Sequence, residues 1–368
     1  MPDNLLSFFS QKKVLITGHT GFKGSWLTWL LAEHGAHVIG VAQAPHTSPN
    51  LFSTLKLESR ISHHVMDIRN RDRFNDVLAR EQPEIVFHLA AQALVRHGYD
   101  NPYETFSTNV MGTINILDAV YAHPETGVKA IVVITTDKVY RDQGPRMYQE
   151  NDPLGGYDPY AASKVAADVI AHSYSTILAR SSQLHDSAPA LLAIARSGNV
   201  IGGGDWSRDR LIPDIVRALY EGPGSITIRH PQAIRPWQHV FEPLSGYLML
   251  AKRLHQGDEH ATGAWNFGPS PENCITVEEL LRRALTILGK GSYTIDADRT
   301  HKHETDALLL DSSKARSLLT WRPILTLEET LEMTLGWYRQ FYKNPEKIPI
   351  LTEKQSTLFL TRIKKYAV

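Results

Sequence analysis

A tyrosine and a lysine four residues apart, Tyr160 and Lys164, could together carry out proton transfer. On an α-helix this spacing places both side chains on one face, within reach of a common ligand. An ammonium beside a phenol stabilises the phenolate and lowers its pKa from about 10 towards neutrality. Tyr160 could then accept a proton from a hydroxyl group while a hydride leaves the same carbon. The spacing also arises by chance on exposed helices, so its meaning depends on its surroundings.

A second reactive group, Thr136, Asp137 and Lys138, follows an aliphatic run over residues 130–135. Side chains at the carboxyl ends of parallel strands line the ligand crevice of open α/β sheets. We therefore expect Thr136 to hydrogen-bond the reacting oxygen beside Tyr160. The alternative is a β-branched strand end that only packs, followed by a charged pair on a turn.

Three glycines, Gly18, Gly21 and Gly24, follow the first strand-like run and open the first helical stretch. Glycine permits a tight turn there and lets the backbone approach a pyrophosphate, while the helix N-terminus supplies N–H groups and a favourable dipole. A tight turn needs glycine even without a ligand, so the spacing alone is weak. Its position between the first strand and the first helix predicts a dinucleotide site.

A parallel sheet is expected to position these residues. Short, continuous aliphatic runs indicate strands covered on both faces, and helical stretches lie between them, which predicts a doubly wound, Rossmann-like α/β fold. The predicted strands are residues 13–17, 37–41, 84–90, 130–135 and 190–195, with 264–268 as a further candidate. The predicted helices are residues 25–34, 71–80, 109–122, 160–178, 243–254, 277–288, 312–318 and 327–341.

Beyond Asn199, glycine and proline separate shorter elements, which indicates a smaller C-terminal substrate domain set over the sheet. Because residues 264–268 would return to the sheet, we expect the two domains to interleave. The dinucleotide-binding domain then comprises residues 1–198 and 238–268, and the smaller domain residues 199–237 and 269–342. Residues 343–368 show little periodicity and are predicted to form a loosely attached tail.

Composition narrows the range of partners. The 368 residues contain 39 Lys plus Arg and 39 Asp plus Glu, so no basic excess favours binding to nucleic acid. Cys274 is the only cysteine and cannot form an intramolecular disulfide. With neither a signal peptide nor an apolar run near the roughly 20 residues of a membrane span, we expect a cytoplasmic protein with no membrane partner. His301-Lys-His-Glu304 has no companion cluster, so no metal is expected.

The glycine turn and the Tyr160–Lys164 pair resemble the extended short-chain dehydrogenase/reductase family, which contains NAD-dependent epimerases and dehydratases. The resemblance runs from Val14 to about Tyr338. It implies that the turn holds the pyrophosphate of NAD(P). NAD is favoured over NADP because related dehydratases mostly use it, although residues 41–44, Val-Ala-Gln-Ala, contain neither a deciding acid nor a deciding base. The implied cofactor-binding residues are Gly18, His19, Gly21, Phe22, Lys23, Gly24, Asp67, Ile68, Leu89, Ala90, Ala91, Tyr160 and Lys164.

For Asp67, a place beside the adenine and a solvated acid at a loop start are equally good interpretations. Asp137-Lys138 resembles the 4,6-dehydratases that act on CDP-glucose, whereas those acting on dTDP-glucose carry Asp-Glu. The resemblance implies that Asp137, if protonated, donates to the hydroxyl leaving carbon 6. Lys138 acts either as a neutral-amine base at carbon 5, which requires a lowered pKa, or by positioning water or stabilising an enolate.

The resemblance further implies a nucleotide-sugar substrate, a homodimer formed through residues 109–122 and 160–178, and a role in deoxysugar biosynthesis for lipopolysaccharide O-antigen. Asn109 supports the active site, caps a helix, or does both. Arg235 either binds a diphosphate or forms a surface ion pair. Residues 141–148 match the family poorly, which leaves the hexose open. A 4-epimerase, a dehydratase for a dTDP-, GDP- or UDP-hexose, and a non-catalytic binding module remain alternatives. The implied substrate-binding residues are Gln92, Asn109, Asn199, Arg210, Arg235 and His239.

Overall fold

Seven strands form a central sheet in the computed structural model, which describes residues 5–185, 189–296 and 308–366. All neighbouring strands run parallel. In chain order they are β1 (Lys13–Thr17), β2 (His37–Ala42), β3 (Ser62–Val65), β4 (Ile85–His88), β5 (Ala130–Ile134), β6 (Leu191–Ser197) and β7 (Gly263–Phe267). Their spatial order is β7-β6-β5-β4-β1-β2-β3, so the chain starts near the middle and winds outwards in both directions.

Helices cover both faces of the sheet. The longer ones are α1 (Phe22–Glu33), α2 (Arg71–Glu81), α3 (Gly112–Ala122), α4 (Pro159–His185), α5 (Leu211–Tyr220), α6 (Phe241–His255), α7 (Val277–Leu288), α8 (Leu327–Lys343) and α9 (Ile348–Tyr366). Shorter helices span Leu51–Thr54, Val95–Asp100, Pro102–Phe106 and Ser313–Leu318.

The side chains of each strand divide between two cores. In β1, Val14 and Ile16 pack into the core that contains residues of α1, α6 and α8. Leu15, between them, packs into the opposite core with residues of α2, α3 and α4. Burial on both faces is the reason that these strands read as continuous aliphatic runs. The doubly wound, Rossmann-like fold predicted from the sequence is confirmed.

The two edge strands of the sheet, β7 and β3, differ in how well the sequence predicted them. The candidate at residues 264–268 is confirmed, since β7 pairs with β6 at one edge. At the other edge, β3 is a strand that the sequence did not predict. It reads Ser-His-His-Val, and none of its residues is buried. An edge strand half open to solvent lacks the aliphatic run that marks an interior strand.

Smaller elements follow β5 along the chain. In the part of the chain that the structure describes, four two-stranded sheets lie outside the central sheet: Ile234–Pro236 with Cys274–Thr276, Val200–Ile201 with Gln238–His239, Ser225–Ile228 with Ser292–Ile295, and Met147–Tyr148 with Leu309–Leu310. The division into two interleaved domains stays a prediction.

The C-terminal segment is a helix packed on the core. The prediction of a loosely attached tail is wrong for the described part of residues 343–368, because α9 buries Ile348, Phe359 and Ile363. Its Thr352 hydroxyl accepts a hydrogen bond of 3.1 Å from the Trp337 indole of α8. None of the helices in residues 5–185, 189–296 and 308–366 combines the length and apolar character that a membrane crossing requires.

Candidate active site

The glycine turn lies directly against the end of β4. Gly18 has a φ of +75°, and a Cβ there would come within 2.8 Å of the Ala90 backbone nitrogen. A Cβ on Gly24 would lie 2.1 Å from the Gly18 carbonyl oxygen. Both positions therefore require glycine, which keeps the backbone bare where β1 passes into α1. This cradle at a helix N-terminus fits the pyrophosphate of a dinucleotide.

Side chains of the turn point in different directions. His19 is buried over β2 and β3, where its Nε2 lies 2.7 Å from the Nδ1 of His63. Burial and the neighbouring His63 lower the pKa of His19 to about 3, so the ring is neutral. Lys23 instead donates a 2.8 Å hydrogen bond to Ser197 at the end of β6. Phe22 lies near Gly202, since a Cβ added to that glycine would be 3.2 Å from the Phe22 ring.

Asp67 is ionised and engaged by neighbouring side chains. Its carboxylate accepts hydrogen bonds from Arg69, at 2.6 Å from Nη2, and from Gln43, at 2.7 Å from Nε2. The hydrogen bond from Arg69 holds the pKa of Asp67 below its usual value. The adjacent Ile68 is buried against Gly112 of α3. Binding of the adenine by these two residues stays a prediction.

A series of hydrogen bonds joins the segment after β4 to α4. Leu89, Ala90 and Ala91 are partly exposed at the carboxyl edge of the sheet. Asn109 then accepts from the Gln92 backbone N–H at 2.7 Å and donates to Ser163 at 2.8 Å. The Ser163 hydroxyl donates in turn to the carbonyl of Tyr160.

Asn109 therefore links the segment after β4 to α4 and does not cap a helix. It lies in a π-helical turn, Ser107–Met111, that runs directly into α3, so it has no free helix end to cap. The Gln92 side chain is also engaged, since its Nε2 donates to Thr105 at 2.8 Å. Substrate binding by either residue stays a prediction.

Tyr160 and Lys164 lie on the first turns of α4, beside the end of β5. Thr136 is close enough to Tyr160 to lower the phenol's pKa, but burial outweighs this effect and raises that pKa to about 12. Lys164 donates a 2.9 Å hydrogen bond to the Ile134 carbonyl, and burial lowers its pKa to about 8. The expectation that Lys164 lowers the pKa of the phenol is wrong for this structure, because desolvation dominates.

Asp137 is a buried carboxyl with the character of an acid. Its side chain is 4% exposed, and burial raises its pKa although Lys138, Thr136, Arg235 and Lys23 all act in the opposite direction. Its Oδ1 accepts a 2.9 Å hydrogen bond from Thr136. Lys138 is only partly buried at the same edge. The structure therefore gathers all five predicted catalytic residues, Thr136, Asp137, Lys138, Tyr160 and Lys164, at the carboxyl end of β5.

The predicted substrate-binding residues differ in their accessibility. Asn199 is partly exposed after β6. Arg210 lies 3.8 Å from the Asp205 carboxylate and is close enough to Tyr160 to lower the pKa of its phenol. Arg235 is 7% exposed and likewise lowers the pKa of Asp137. His239 is fully buried against Trp26 and Phe241, and burial lowers its pKa to about 3, so its surroundings are those of a packing residue.

Sequence reasoning missed a buried ion pair behind the catalytic helix. Arg196 donates to Asp168 through two nitrogens, at 2.9 Å from Nε and 2.7 Å from Nη2. Thr135 also donates to Asp168, at 3.1 Å. The sequence hinted at this pair only through Arg196, a charged residue directly after the predicted aliphatic run over residues 190–195. Its partner could not be identified because it lies 28 positions earlier in the chain. The pair ties α4 to β5 and β6.

No cluster of three or more potential metal ligands occurs in the parts of the chain that the structure describes. His301-Lys-His-Glu304, which we considered as a metal segment, lies outside the described residues.

The sequence was compared with family models and with known proteins, and both comparisons find 4,6-dehydratases. Residues 15–334 match a family model described as GDP-mannose 4,6 dehydratase. A CDP-glucose 4,6-dehydratase from Salmonella typhimurium is 43% identical over 345 residues, which cover 93% of this chain and 94% of that protein.

Solved structures show the same fold at lower identity. A dTDP-glucose 4,6-dehydratase from Bacillus anthracis, in complex with NAD, has a TM-score of 0.71 at 24% identity, covering 92% of this chain and 99% of that one. A UDP-glucose 4-epimerase from Thermotoga maritima, with UDP-glucose, has a TM-score of 0.73 at 22% identity, covering 89% and 99%. The chain therefore belongs to the extended short-chain dehydrogenase/reductase family, within the group that the GDP-mannose 4,6-dehydratase model describes.

Proposed function

We propose that this protein is a hydro-lyase that converts CDP-D-glucose into CDP-4-keto-6-deoxy-D-glucose and water by internal hydride transfer. The choice of CDP-glucose is supported by the relative from Salmonella typhimurium, which is named for that substrate. The Asp137-Lys138 pair supports it as well, because dehydratases acting on CDP-glucose resemble this segment.

One observation carries the proposal: a buried carboxyl with a raised pKa, Asp137, lies beside the Thr136 hydroxyl, which is also close to Tyr160. Oxidation at carbon 4 needs a base for the hydroxyl proton, which Tyr160 supplies once ionised, with Thr136 orienting the oxygen. Loss of water from carbon 6 needs a proton donor, and desolvation, by raising the pKa of Asp137, favours the protonated form that can act as one. An epimerase has no use for such an acid.

NAD is the cofactor that we assign to the glycine turn. Gly18, Gly21 and Gly24 would hold its pyrophosphate, with Leu89, Ala90 and Ala91 beside it. When bound, NAD would supply the hydride acceptor for carbon 4 and then the hydride donor for carbon 6, so no cofactor would be consumed in one turnover. Lys138 then serves carbon 5, either as the base or by stabilising the enolate.

A panel of CDP-, dTDP-, GDP- and UDP-hexoses tests the assignment. We expect the 4-keto-6-deoxy product to form from CDP-glucose at least about 100-fold faster than from the others, since wrong bases leave buried polar groups unpaired. The 4-keto sugar is measured by mass spectrometry. Preferred turnover of another hexose would overturn the CDP assignment, and a 4-epimer without keto sugar would identify an epimerase.

We also propose that the protein acts in the cytoplasm as a homodimer and that its product enters deoxysugar biosynthesis for O-antigen. Residues 109–122 and 160–178, the proposed dimer surface, carry large apolar side chains that are exposed in the single chain. These are Met111, Tyr121, Val169 and Ile177. Pairing of such patches between subunits would remove them from water.

A further inference from the structure

The Lys23 side chain extends from the glycine turn to the carboxyl end of β6. Its ammonium donates a 2.8 Å hydrogen bond to the Ser197 hydroxyl, and that hydroxyl lies 2.9 Å from the Tyr247 hydroxyl. The same ammonium lies 6.0 Å from the centre of the Tyr247 ring. Ser197 and Tyr247 are buried. Two fixed partners therefore hold Lys23 across the gap between α1 and the end of β6.

The residue after Ser197 brings Asp137 to the same place. A Cβ built on Gly198 would lie 3.0 Å from the Asp137 Oδ2, so that oxygen rests against the backbone adjoining Ser197. The other oxygen, Oδ1, is held by Thr136. Lys23 and Asp137 therefore contact adjacent residues at the end of β6, and each acts on the pKa of the other.

We propose that Lys23 belongs to the water-eliminating machinery: held by Ser197, it supplies the positive charge beside Asp137 when that carboxyl gives its proton to the departing hydroxyl. The inference rests on the proposed dehydratase function. It gives Lys23 a role in the chemical step beyond the contact with the cofactor that the family resemblance implies.

The loss of water balances in protons and electrons. The carbon 6–oxygen bond breaks with its electron pair on oxygen, which takes the Asp137 proton and leaves as water. The carbon 5–hydrogen pair becomes the new double bond, and its proton passes to the base at carbon 5. Asp137 is left as a buried carboxylate, which is costly without a nearby cation. Lys23 acts on the reaction through Asp137 and is therefore a positioning residue.

The charge of Lys23 is itself sensitive to pH. Burial, together with Arg210 and Lys164, lowers its pKa to about 7, while Asp137 raises it. Lys138, Arg235 and Tyr160 are the other titratable or charged groups acting on Asp137 or close to it. Because the ammonium form is the active one, elimination should be fastest below about pH 7 and fall as Lys23 loses its proton.

Single-turnover kinetics with CDP-glucose tests the proposal. At saturating NAD, we expect oxidation at carbon 4 in Lys23→Met, measured by the absorbance of reduced nicotinamide, to stay within about threefold of wild type. Water loss should slow about 100-fold, so reduced cofactor accumulates. Lys23→Arg keeps the charge and should retain elimination while moving its pH limb upwards. Lys12→Met, which removes a lysine far from this site, is the matched control and should behave as wild type.

Direct titration of NAD and of CDP separates this role from simple phosphate binding. We expect the dissociation constant of CDP in Lys23→Met to stay within about threefold of wild type, while the NAD titration sets the concentration that saturates each protein for the kinetic comparison. Weakened binding with normal water loss at saturating cofactor would overturn the inference, as would equal slowing of oxidation and elimination. Should Lys23→Met fail to fold, an unchanged pH limb in Lys23→Arg overturns it. A wild-type protein that dehydrates no hexose would instead overturn the proposed function itself.

Discussion

Desolvation governs the groups at the carboxyl end of β5. It raises the pKa values of Asp137 and Tyr160 and lowers those of Lys164 and Lys23, so each group is pushed towards its neutral form. Neutral acids and amines can exchange protons with a substrate at little cost in charge separation. The same burial means that each proton transfer creates a charge needing a nearby partner, and the clustered cations meet that need.

Replacement of Asp137 by Asn probes the acid at this scale. We expect oxidation at carbon 4 to continue while water loss slows by about 10²- to 10⁴-fold, because asparagine keeps the shape but cannot donate the acid proton. Rapid-quench analysis of the keto intermediate and of reduced nicotinamide measures the two steps separately. The control is Asp142→Asn, which alters an exposed acid on the following loop. Equal loss of both steps would mean that Asp137 is not the specific acid.

At the scale of elements, α4 carries Tyr160, Lys164 and Asp168 on successive turns of one face. The double hydrogen bond from Arg196 to Asp168 fixes this helix against β5 and β6, and Thr135 adds a third contact. Asp168 also raises the pKa of Lys164, which keeps part of the ammonium character that burial removes. The register of the catalytic pair over the sheet thus depends on a contact one helical turn away.

Breaking that ion pair should destabilise the fold strongly. Arg196→Met leaves the Asp168 carboxylate buried without its partner, which typically costs about 3–5 kcal/mol. Urea denaturation followed by circular dichroism measures the loss. The matched control, Arg253→Met, breaks a more exposed pair with Asp258 and should cost less than about 1 kcal/mol. Similar losses in the two variants would contradict the structural role given to Arg196.

Sequence patterns predicted the elements whose burial is visible in residue types. β1, β4 and β5 are aliphatic on both faces and were identifiable for that reason. α9 escaped because several positions on its buried face are polar, namely Thr352, Gln355 and Ser356, so its hydrophobic period is broken.

The candidate site divides in the same way. The predicted catalytic residues belong to short local motifs, so sequence alone could single them out, and the structure brings them together at the end of β5. The contact from Lys23 to Ser197 spans 174 positions and leaves no local trace. The lowered phenol pKa expected from the spacing of Tyr160 and Lys164 failed because spacing does not report burial.

At the scale of the whole molecule, one buried carboxyl links stability to pH. Glu242 of α6 is 1% exposed, and its Oε1 accepts 2.8 Å hydrogen bonds from the backbone N–H groups of Ile324 and Leu325. Burial raises its pKa from 4.5 to about 8. Between these values the folded protein binds one proton more than the unfolded chain, so this group makes stability fall as pH rises.

Glu242→Gln should remove that dependence. Relative to the variant, the wild type should lose about 1.4 kcal/mol of unfolding free energy per pH unit between about pH 5 and pH 8. Urea denaturation of both proteins at about pH 5.5, 6.5 and 7.5, all within this range, measures the difference in their unfolding free energies. A difference that stays constant over the series would show that Glu242 does not gain a proton on folding.

The burial of α9 has a consequence for biosynthesis. Its residues Ile348, Phe359 and Ile363 complete a core whose other members include Val14 of β1 and Phe241 of α6, far earlier in the chain. During synthesis this core cannot be completed until residues 348–366 have been made and have left the ribosomal exit tunnel. Until then, the surface of the core that α9 covers stays exposed to water and to other proteins.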